Sequence, residues 1–340
     1  MKNTIIITAF LSVLFIQGNA AASGIKNLPI EFGGVIEIEA YQTSPYDGDS
    51  SSDITVATVE LTADAKINEQ ISASIGLLYE QDETDLEVDT AILTFGPTDS
   101  NWSVSVGQLY VPFGVYDSNM VSDPLTLDIG EARETAAVFD YTIDNLSAAF
   151  YLFNGTNNKN NGADDNIDNF GFSIIYTSSG DINFTGSLGY INDVGDSDGI
   201  EAGLLTTDVQ DHIPGFTAAV RVDIGDINFI AEYIAARDSF QETELEFNES
   251  GAKPSAFNLE AGYSFNLAGK PASIGLGYQT TDEALALELP EKRIITALSV
   301  DVLKNTTLGF EYNRDEDYDV ASGGSGKSAH TFTLQLAVEF

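Results

Sequence analysis

The chain has 340 residues, with 14 Lys and Arg against 53 Asp and Glu, a formal net charge of −39 and no cysteine. This charge argues against nucleic acid and anionic lipid surfaces as partners, because both would be repelled. The lack of cysteine excludes disulfide bridges and thiol catalysis.

The first segment predicts a secretory signal peptide over residues 1–22. Lys2 precedes an apolar run over residues 5–16, and Ala20, Ala21 and Ala22 supply a cleavage point. The run is too short to span a membrane as a helix, and no later apolar run is long enough either. Residues 23–340 are therefore predicted to form one domain, which can cross a membrane only with strands.

After the signal peptide, sixteen segments alternate apolar and polar side chains with the period of a strand. In chain order they are residues 30–42, 54–67, 71–80, 86–95, 102–110, 135–143, 146–153, 170–176, 182–190, 216–224, 227–233, 257–265, 273–278, 293–302, 306–312 and 329–340. Short turns alternate with mostly long polar connections. This pattern predicts an all-β fold, a transmembrane antiparallel β-barrel of about 16 strands in the outer membrane of a Gram-negative bacterium.

Aromatic residues mark both ends of the predicted strands. The outer ends carry Tyr79, Tyr110, Tyr190, Tyr233, Tyr278 and Tyr312, and the opposite ends carry Trp102, Tyr141, Tyr176, Phe265 and Phe340. Two such belts are expected where a barrel meets the lipid headgroups on either side of the bilayer. The terminal Phe340 also predicts recognition by the barrel-assembly machinery.

The polar faces of the strands are predicted to line a water-filled lumen, and acids predominate on them. The predicted pore-wall residues are Glu37, Glu39, Glu60, Asp85, Glu87, Asp89, Glu232 and Glu260, with Arg221 and Arg293 among the few bases. A lumen lined by carboxylates favours cations. For any single acid, simple hydration of the wall is the commoner role.

The connection over residues 111–134 is predicted to fold into the barrel as a constriction loop. Phe113, Tyr116, Leu125 and Ile129 supply apolar anchors, and the polar pore-facing candidates are Asp123, Asp128, Glu131, Arg133 and Glu134. The alternative is a loop packed over the barrel mouth or against a neighbouring protomer.

Four stretches carry a family resemblance: residues 106–116 (VGQLYVPFGVY), 123–128 (DPLTLD), 130–135 (GEARET) and 253–263 (KPSAFNLEAGY). They resemble the LbtU family of siderophore porins, barrels related to the legiobactin receptor. The resemblance implies a barrel without an N-terminal plug domain that passes ferric siderophore. A first strand starting close after the cleavage point agrees with this, since it leaves no room for a plug.

The charge of the chain opposes an anionic ferric chelate. Arg133, Arg221 and Arg293 are the candidates for a local path, but a neutral or cationic chelate fits the acidic wall better. A general cation-preferring porin is therefore the alternative function. An outer-membrane hydrolase using His330 with Ser325 or Ser328 is a second alternative, weakly supported because neighbours in one loop make a poor triad.

No enzyme activity, cofactor or metal centre is predicted from the residues. Acidic runs over residues 164–168, 193–198 and 315–317 can hold calcium weakly in the outer loops, although such runs are more often solvated turns. The expected partners are the lipid bilayer and small solutes, and a homo-oligomer is possible for this architecture.

Overall fold

The computed structural model describes residues 29–97, 100–159 and 166–340, and the predicted signal peptide lies outside them. Sixteen antiparallel strands form a closed barrel in which each strand pairs with the next and the last pairs with the first. In chain order they are β1 (Ile30–Ser44), β2 (Ser51–Lys66), β3 (Ile71–Glu80), β4 (Thr84–Phe95), β5 (Trp102–Tyr110), β6 (Arg133–Ile143), β7 (Leu146–Phe153), β8 (Asn169–Ser178), β9 (Ile182–Ile191), β10 (Gly215–Ile224), β11 (Ile227–Ala236), β12 (Ser255–Leu267), β13 (Lys270–Asp282), β14 (Lys292–Leu303), β15 (Thr306–Glu316) and β16 (Ser328–Glu339). The predicted all-β, sixteen-stranded barrel is confirmed.

The strands are longer than their apolar patterns predicted, and β13 differs most. Its pattern predicted a strand over 273–278 and a turn over 266–272, but the turn is only Ala268 and Gly269, with φ of 51° and 84°. Positive φ at both positions is what a two-residue hairpin turn of matching twist requires. Pro271 lies beyond the last pair between β13 and β14, so its missing N–H interrupts no ladder there.

The outward faces of the strands are apolar along their length. Phe32, Leu188 and Leu276 are more than half exposed, as expected for side chains that meet hydrocarbon rather than water. Near the outer rim the ring of Tyr190 lies 5.3 Å from that of Phe172 and 5.2 Å from that of Phe216. Among the described residues, no helix is long and apolar enough to cross a membrane.

Bulges in β2 and β4 change which residues face inward. The β1–β2 pairing passes from Glu37–Thr58 to Ile38–Val56, so Val56 shares the outward face and Ala57, predicted there, is the extra residue. In β4 the extra residue is Asp89, and Asp89 and its neighbour Thr90 are both buried. One inserted residue reverses the parity of everything beyond it, which a strict period of two cannot represent.

The strands β4 and β5 separate toward the outer rim. Their pairing ends at Ala91 and Gln108, and the amide nitrogen of the Gln108 side chain donates to the carbonyls of Val88 (2.8 Å) and Asp89 (3.0 Å). At Gly107 φ is +137°, and a Cβ there would overlap the Ala91 carbonyl oxygen. Only glycine fits this position, and side chains replace the backbone ladder above it.

The lumen is not wholly aqueous, and this corrects the prediction of an unpacked interior. Buried apolar side chains from the inward faces of β6, β7 and β11 pack against the outer loops. The cluster includes Val138, Tyr151, Phe153, Val194, Ile200, Ile234, Phe240 and Leu245. It packs the interior on the side of β6, β7 and β11, whereas the inward-facing Glu37 and Glu39 of β1 are only half-buried.

Candidate functional site

The segment between β5 and β6, residues 111–132, folds into the barrel. We call it the inserted loop. It contains one short helix, α1 (Leu125–Gly130), and crosses from β5 to the wall formed by β11, β12, β13 and β15. On that wall it is held by the side chains of Glu232, Glu260, Gln279 and Glu311.

Glu232 on β11 anchors the inserted loop at two points, residues 115–116 and Thr126. Its Oε1 accepts from the backbone N–H of Val115 at 3.0 Å and of Tyr116 at 3.4 Å, and its Oε2 accepts from the Thr126 hydroxyl at 2.8 Å. Glu232 is only 2% exposed. A buried carboxylate of this kind needs several donors, and the loop provides them.

Glu260 and Glu311 hold the middle of the loop in the same way. Glu260 accepts from the backbone N–H of Asn119 at 2.6 Å and from the Ser118 hydroxyl at 2.9 Å. Glu311 accepts from the backbone N–H of Val121 and from the Ser122 hydroxyl, both at 2.6 Å. Glu232 and Glu260 were predicted to line the pore wall; they do face inward, but beneath the loop rather than toward open water.

Apolar contacts secure the outer side of the inserted loop. Phe113, Leu125 and Ile129 are 2% exposed or less. A second short helix, α2 (Asp198–Gly203), comes from the loop between β9 and β10 and lies on α1. The Asp198 backbone N–H donates to the Glu131 carbonyl at 2.8 Å.

Tyr116 packs within the loop rather than into the lumen. It has φ of 54°, and a Cβ at Gly114 or Gly130 would overlap its hydroxyl group. The two glycines therefore leave the space that its ring occupies. The ring fixes the loop's shape and does not face passing solutes.

The other side of the loop faces β1 and β3 across a space lined by acids, which we call the acidic gap. Its wall acids are Glu37, Glu39 and Glu80, and its loop acids are Asp123 and two acids on which the charge of Asp123 acts, Asp128 and Glu131. Asp123 is exposed to the lumen and close enough to Glu80, Glu39 and Glu37 for their charges to act on it. Arg293 is close enough to Asp128 for its charge to act on that carboxylate.

All three arginines predicted to form an anion path are paired with carboxylates. Arg221 donates to Asp223 at 3.0 Å, with Asp117 at 3.8 Å, and Arg293 holds Asp315 through two hydrogen bonds of 2.8 Å and 3.0 Å. Each of these charges is compensated by a neighbouring carboxylate, and of the three only Arg293 also acts on an acid of the gap, Asp128.

Arg133 departs from its predicted place in the constriction. Arg133 lies on the outward face of β6, opposite Tyr110 of β5. Its guanidinium forms ion pairs with Glu87 and, at 3.1 Å, with Asp89. The Tyr110 hydroxyl donates to the same Asp89 at 2.8 Å. These side-chain contacts bridge the separation between β4 and β5, so Arg133, Glu87 and Asp89 stabilise the barrel wall.

The remaining predicted site residues have separate positions. Glu60 faces inward on β2 near Asp89, and Glu134 faces inward on β6 toward the acids of the outer loop that carries α2. Asp85 falls in an irregularity between the pairs Leu78–Glu87 and Glu80–Thr84 at the exposed rim. It was predicted to line the pore wall, and the second register shift in β4 removes it from that face.

Sequence relatives identify the family. The chain is 31% identical over 336 residues to a UPF0422 protein of Coxiella burnetii, covering 92% of this chain and 72% of the relative. The chain belongs to the UPF0422 family. A UPF0422 protein of Legionella pneumophila strain Paris is 30% identical over 357 residues, covering 93% of this chain and 67% of the relative. No family model matches the chain.

Solved structures similar to this UPF0422 protein are outer-membrane channels. An anion-selective porin from Comamonas acidovorans superposes with a TM-score of 0.66 at 12% identity, covering 92% of this chain and all of that one. The channel DcaP of Acinetobacter baumannii superposes with a TM-score of 0.65 at 14% identity, covering 96% of this chain and all of that one. Salmonella typhi OmpF superposes with a TM-score of 0.63 at 13% identity, covering 92% of this chain and 98% of that one. The UPF0422 chain therefore has a porin fold and an outer-membrane location. Its membership of the siderophore-porin family stays a prediction.

The hydrolase alternative gains no support from the geometry around His330 in the UPF0422 chain. The Nδ1 atom of His330 lies 2.9 Å from the Tyr312 hydroxyl oxygen, and the two rings stack with their centroids 6.1 Å apart. Ser328 Oγ accepts from Arg314 at 3.2 Å, and Ser325 Oγ accepts from the Lys327 backbone N–H at 3.3 Å. Within the described residues, neither serine is hydrogen-bonded to the imidazole.

The acidic gap of the UPF0422 chain predicts a pH-dependent selectivity. Burial, reinforced by Asp198 and Asp123, raises the pKa of Glu131 to about 8, and burial raises the pKa of Asp128 to about 6 against the opposing effect of Arg293. A carboxyl group is neutral below its pKa and charged above it, so cation preference should rise between pH 5 and pH 9. Reversal potentials at pH 5, 7 and 9 measure this. Glu131→Gln should remove the rise above pH 7, and an unchanged rise would contradict the assignment.

The anchoring residues were the part of the site that pattern reasoning missed. Ser118, Asn119, Ser122, Thr126 and Gln279 hold the loop, yet each looks like an ordinary polar residue in the sequence. A usable signal was present in β7, whose residues 148–153 are apolar on both faces. A lumen-facing apolar row predicts packed loops rather than water on that side.

Proposed function

We propose that this chain is a cation-preferring diffusion porin whose solutes pass through the acidic gap. The observation that carries the proposal is the balance of charge there: loop acids face wall acids, and the three arginines that would favour anions are each paired with a carboxylate. Carboxylates that face each other across a narrow aqueous space raise the local concentration of cations.

The test is the reversal potential of the purified barrel in a planar bilayer under a gradient of potassium chloride. The sign should report preference for potassium, and anion preference would overturn the proposal. Arg221→Gln serves as a control for mutation of a paired lumen residue. Because its partner Asp223 already neutralises it, this substitution should not reverse the sign.

We propose ferric chelates of neutral or positive charge as a narrower class of solute. The support is that the stretches resembling siderophore porins cover most of the inserted loop, including the start of α1, and part of β12, the strand that carries its anchor Glu260. The resemblance is thus concentrated in the segments that shape the gap.

Proteoliposomes loaded with an iron indicator separate this class from general diffusion. A neutral ferric hydroxamate should enter faster than an anionic ferric chelate of similar size and faster than a neutral sugar of that size. Equal entry of the hydroxamate and the sugar would be consistent with a general porin and would overturn the chelate proposal. Faster entry of the anionic chelate would contradict both.

A further inference from the structure

A second polar cluster lies in the outer loops, away from the acidic gap. It joins Asn157, from the loop after β7, with Asp193, Asp196 and His212, from the loop between β9 and β10. Asp193, Asp196 and Asn157 are at most 3% exposed, and the His212 side chain is 4% exposed. Two carboxylates and an imidazole are therefore enclosed among loops of a chain that has no cysteine to tie them.

Part of the cluster is fully hydrogen-bonded. Asp196 accepts from the backbone N–H groups of Thr156 (2.9 Å) and Asn157 (3.0 Å) and from the Asn169 side chain (2.7 Å). One oxygen of Asp193 accepts from the backbone N–H groups of Gly195 and Ile213. These contacts fix the positions of Asp193 and Asn157 independently of any ligand.

The rest of the cluster lacks partners. Asp193 Oδ2, Asn157 Oδ1 and Nδ2, and both ring nitrogens of His212 are buried without a hydrogen bond, five of the twelve such side-chain atoms among the described residues. The Asn157 side chain approaches Asp193 and the Asn157 backbone approaches His212, but neither approach has the geometry of a hydrogen bond. Buried polar atoms are rarely left unpaired, so their concentration in one place makes this cluster a candidate binding site.

The spacing of His212 and Asp193 fits one ion bound between them. His212 Nε2 lies 3.9 Å from Asp193 Oδ2. Two ligands that each bind one ion at about 2.0–2.2 Å are separated by roughly 3 to 4 Å. The Asn157 amide lies beside the same carboxylate, because a Cβ at Gly195 would be 2.6 Å from Asn157 Nδ2 and 3.0 Å from Asp193 Oδ1.

We propose that Asp193, His212 and Asn157 bind a divalent transition-metal ion that ties the two outer loops together. Imidazole is a ligand of zinc, copper, nickel and iron, whereas calcium takes oxygen ligands, so the ligand set differs from the weak calcium binding considered for the acidic run alone. Within the described part of the chain no three His, Cys, Asp or Glu side chains form a metal site, so the proposal takes its third ligand from an amide, the unpaired side-chain oxygen Oδ1 of Asn157. Lys159 is the nearby base, and Asp168 and Asp211 add negative charge on the same side.

Zinc binding to the full-length barrel in detergent tests the proposal, and the chain offers a matched control because it has two histidines. After removal of metal with a chelator, titration calorimetry and metal analysis should give one Zn²⁺ per chain for the wild type and for His330→Ala. His212→Ala removes the imidazole ligand and Asp193→Asn removes the negative charge of the carboxylate ligand, so each should weaken binding about tenfold or more. The heat-dependent shift in electrophoretic mobility reports whether each variant is folded.

Several results would overturn the metal site. They are no saturable Zn²⁺ binding by the wild type, equal binding by His212→Ala, or equal loss in His330→Ala. Displacement of Zn²⁺ by millimolar Ca²⁺ would point to an oxygen site instead and would also reject the proposal. If His212→Ala does not fold, Asp193→Asn and Asn157→Ala, which leave the ring in place, decide the matter. A Co²⁺ complex with the visible absorption of nitrogen and oxygen ligation would support it.

Discussion

The double substitution Glu260→Ala with Glu311→Ala is expected to release the inserted loop and raise single-channel conductance roughly twofold or more. The two carboxylates accept backbone N–H groups from Asn119 and Val121, each at 2.6 Å. A hydrogen bond to a charged group contributes about 1.5–3 kcal/mol, and its loss leaves half-buried loop amides without their carboxylate partner. The middle of the loop should then leave the wall, which planar-bilayer recording detects as larger and noisier current steps.

Two further measurements make this result specific to the loop. Protease added from outside should cut the double variant within residues 117–123 and spare the wild type. The control is Asp301→Ala, an inward-facing acid on β14 whose carboxylate accepts from Thr307 in the wall. A double variant with wild-type conductance and wild-type protease resistance would show that these carboxylates do not hold the loop.

Neutralising the loop side of the acidic gap is expected to lower the cation-to-anion permeability ratio by roughly half or more. The triple variant is Asp123→Asn, Asp128→Asn and Glu131→Gln, which keeps the size of each side chain. Screening at physiological salt acts over about 8 Å, so charges at the gap dominate the selectivity of the path beside them. Reversal potentials under a salt gradient measure the ratio.

The matched control for this triple variant is Asp301→Asn, which removes an inward charge from the wall outside the acidic gap. It should leave the ratio close to that of the wild type. If the triple variant and the wild type have the same reversal potential, selectivity is set elsewhere and the acidic gap is not the selective part of the path.

The alternation of side chains was sufficient to predict the barrel. A strand between lipid and water must carry apolar residues on one face, so the sixteen strands and their order can be read from local pattern alone. The inserted loop illustrates how far this reasoning extends to the site. Its composition predicted apolar anchors and polar groups, and the structure places Phe113 and Ile129 among buried apolar side chains.

The errors came from features that local pattern does not contain. Asp85 and Arg133 were predicted to face the pore, but register shifts in β4 and the separation of β4 from β5 place them elsewhere. A bulge is one extra residue relative to a partner strand, and the partner is known only once the strands are paired. The same limit hid the role of Glu232, because its hydrogen-bond donors lie more than 100 positions earlier in the chain.

The sequence by itself therefore determined the sixteen crossings, their lipid-facing sides, the excess of acid in the interior and the identity of the loop able to enter it. Only the tertiary structure decided which acids face water and which hold that loop, and which arginines remain available to attract anions. The physical reason is that lipid exposure acts on each strand separately, through its own alternation. Burial and ion pairing inside the lumen depend on residues brought together across the barrel, and no single segment records those contacts.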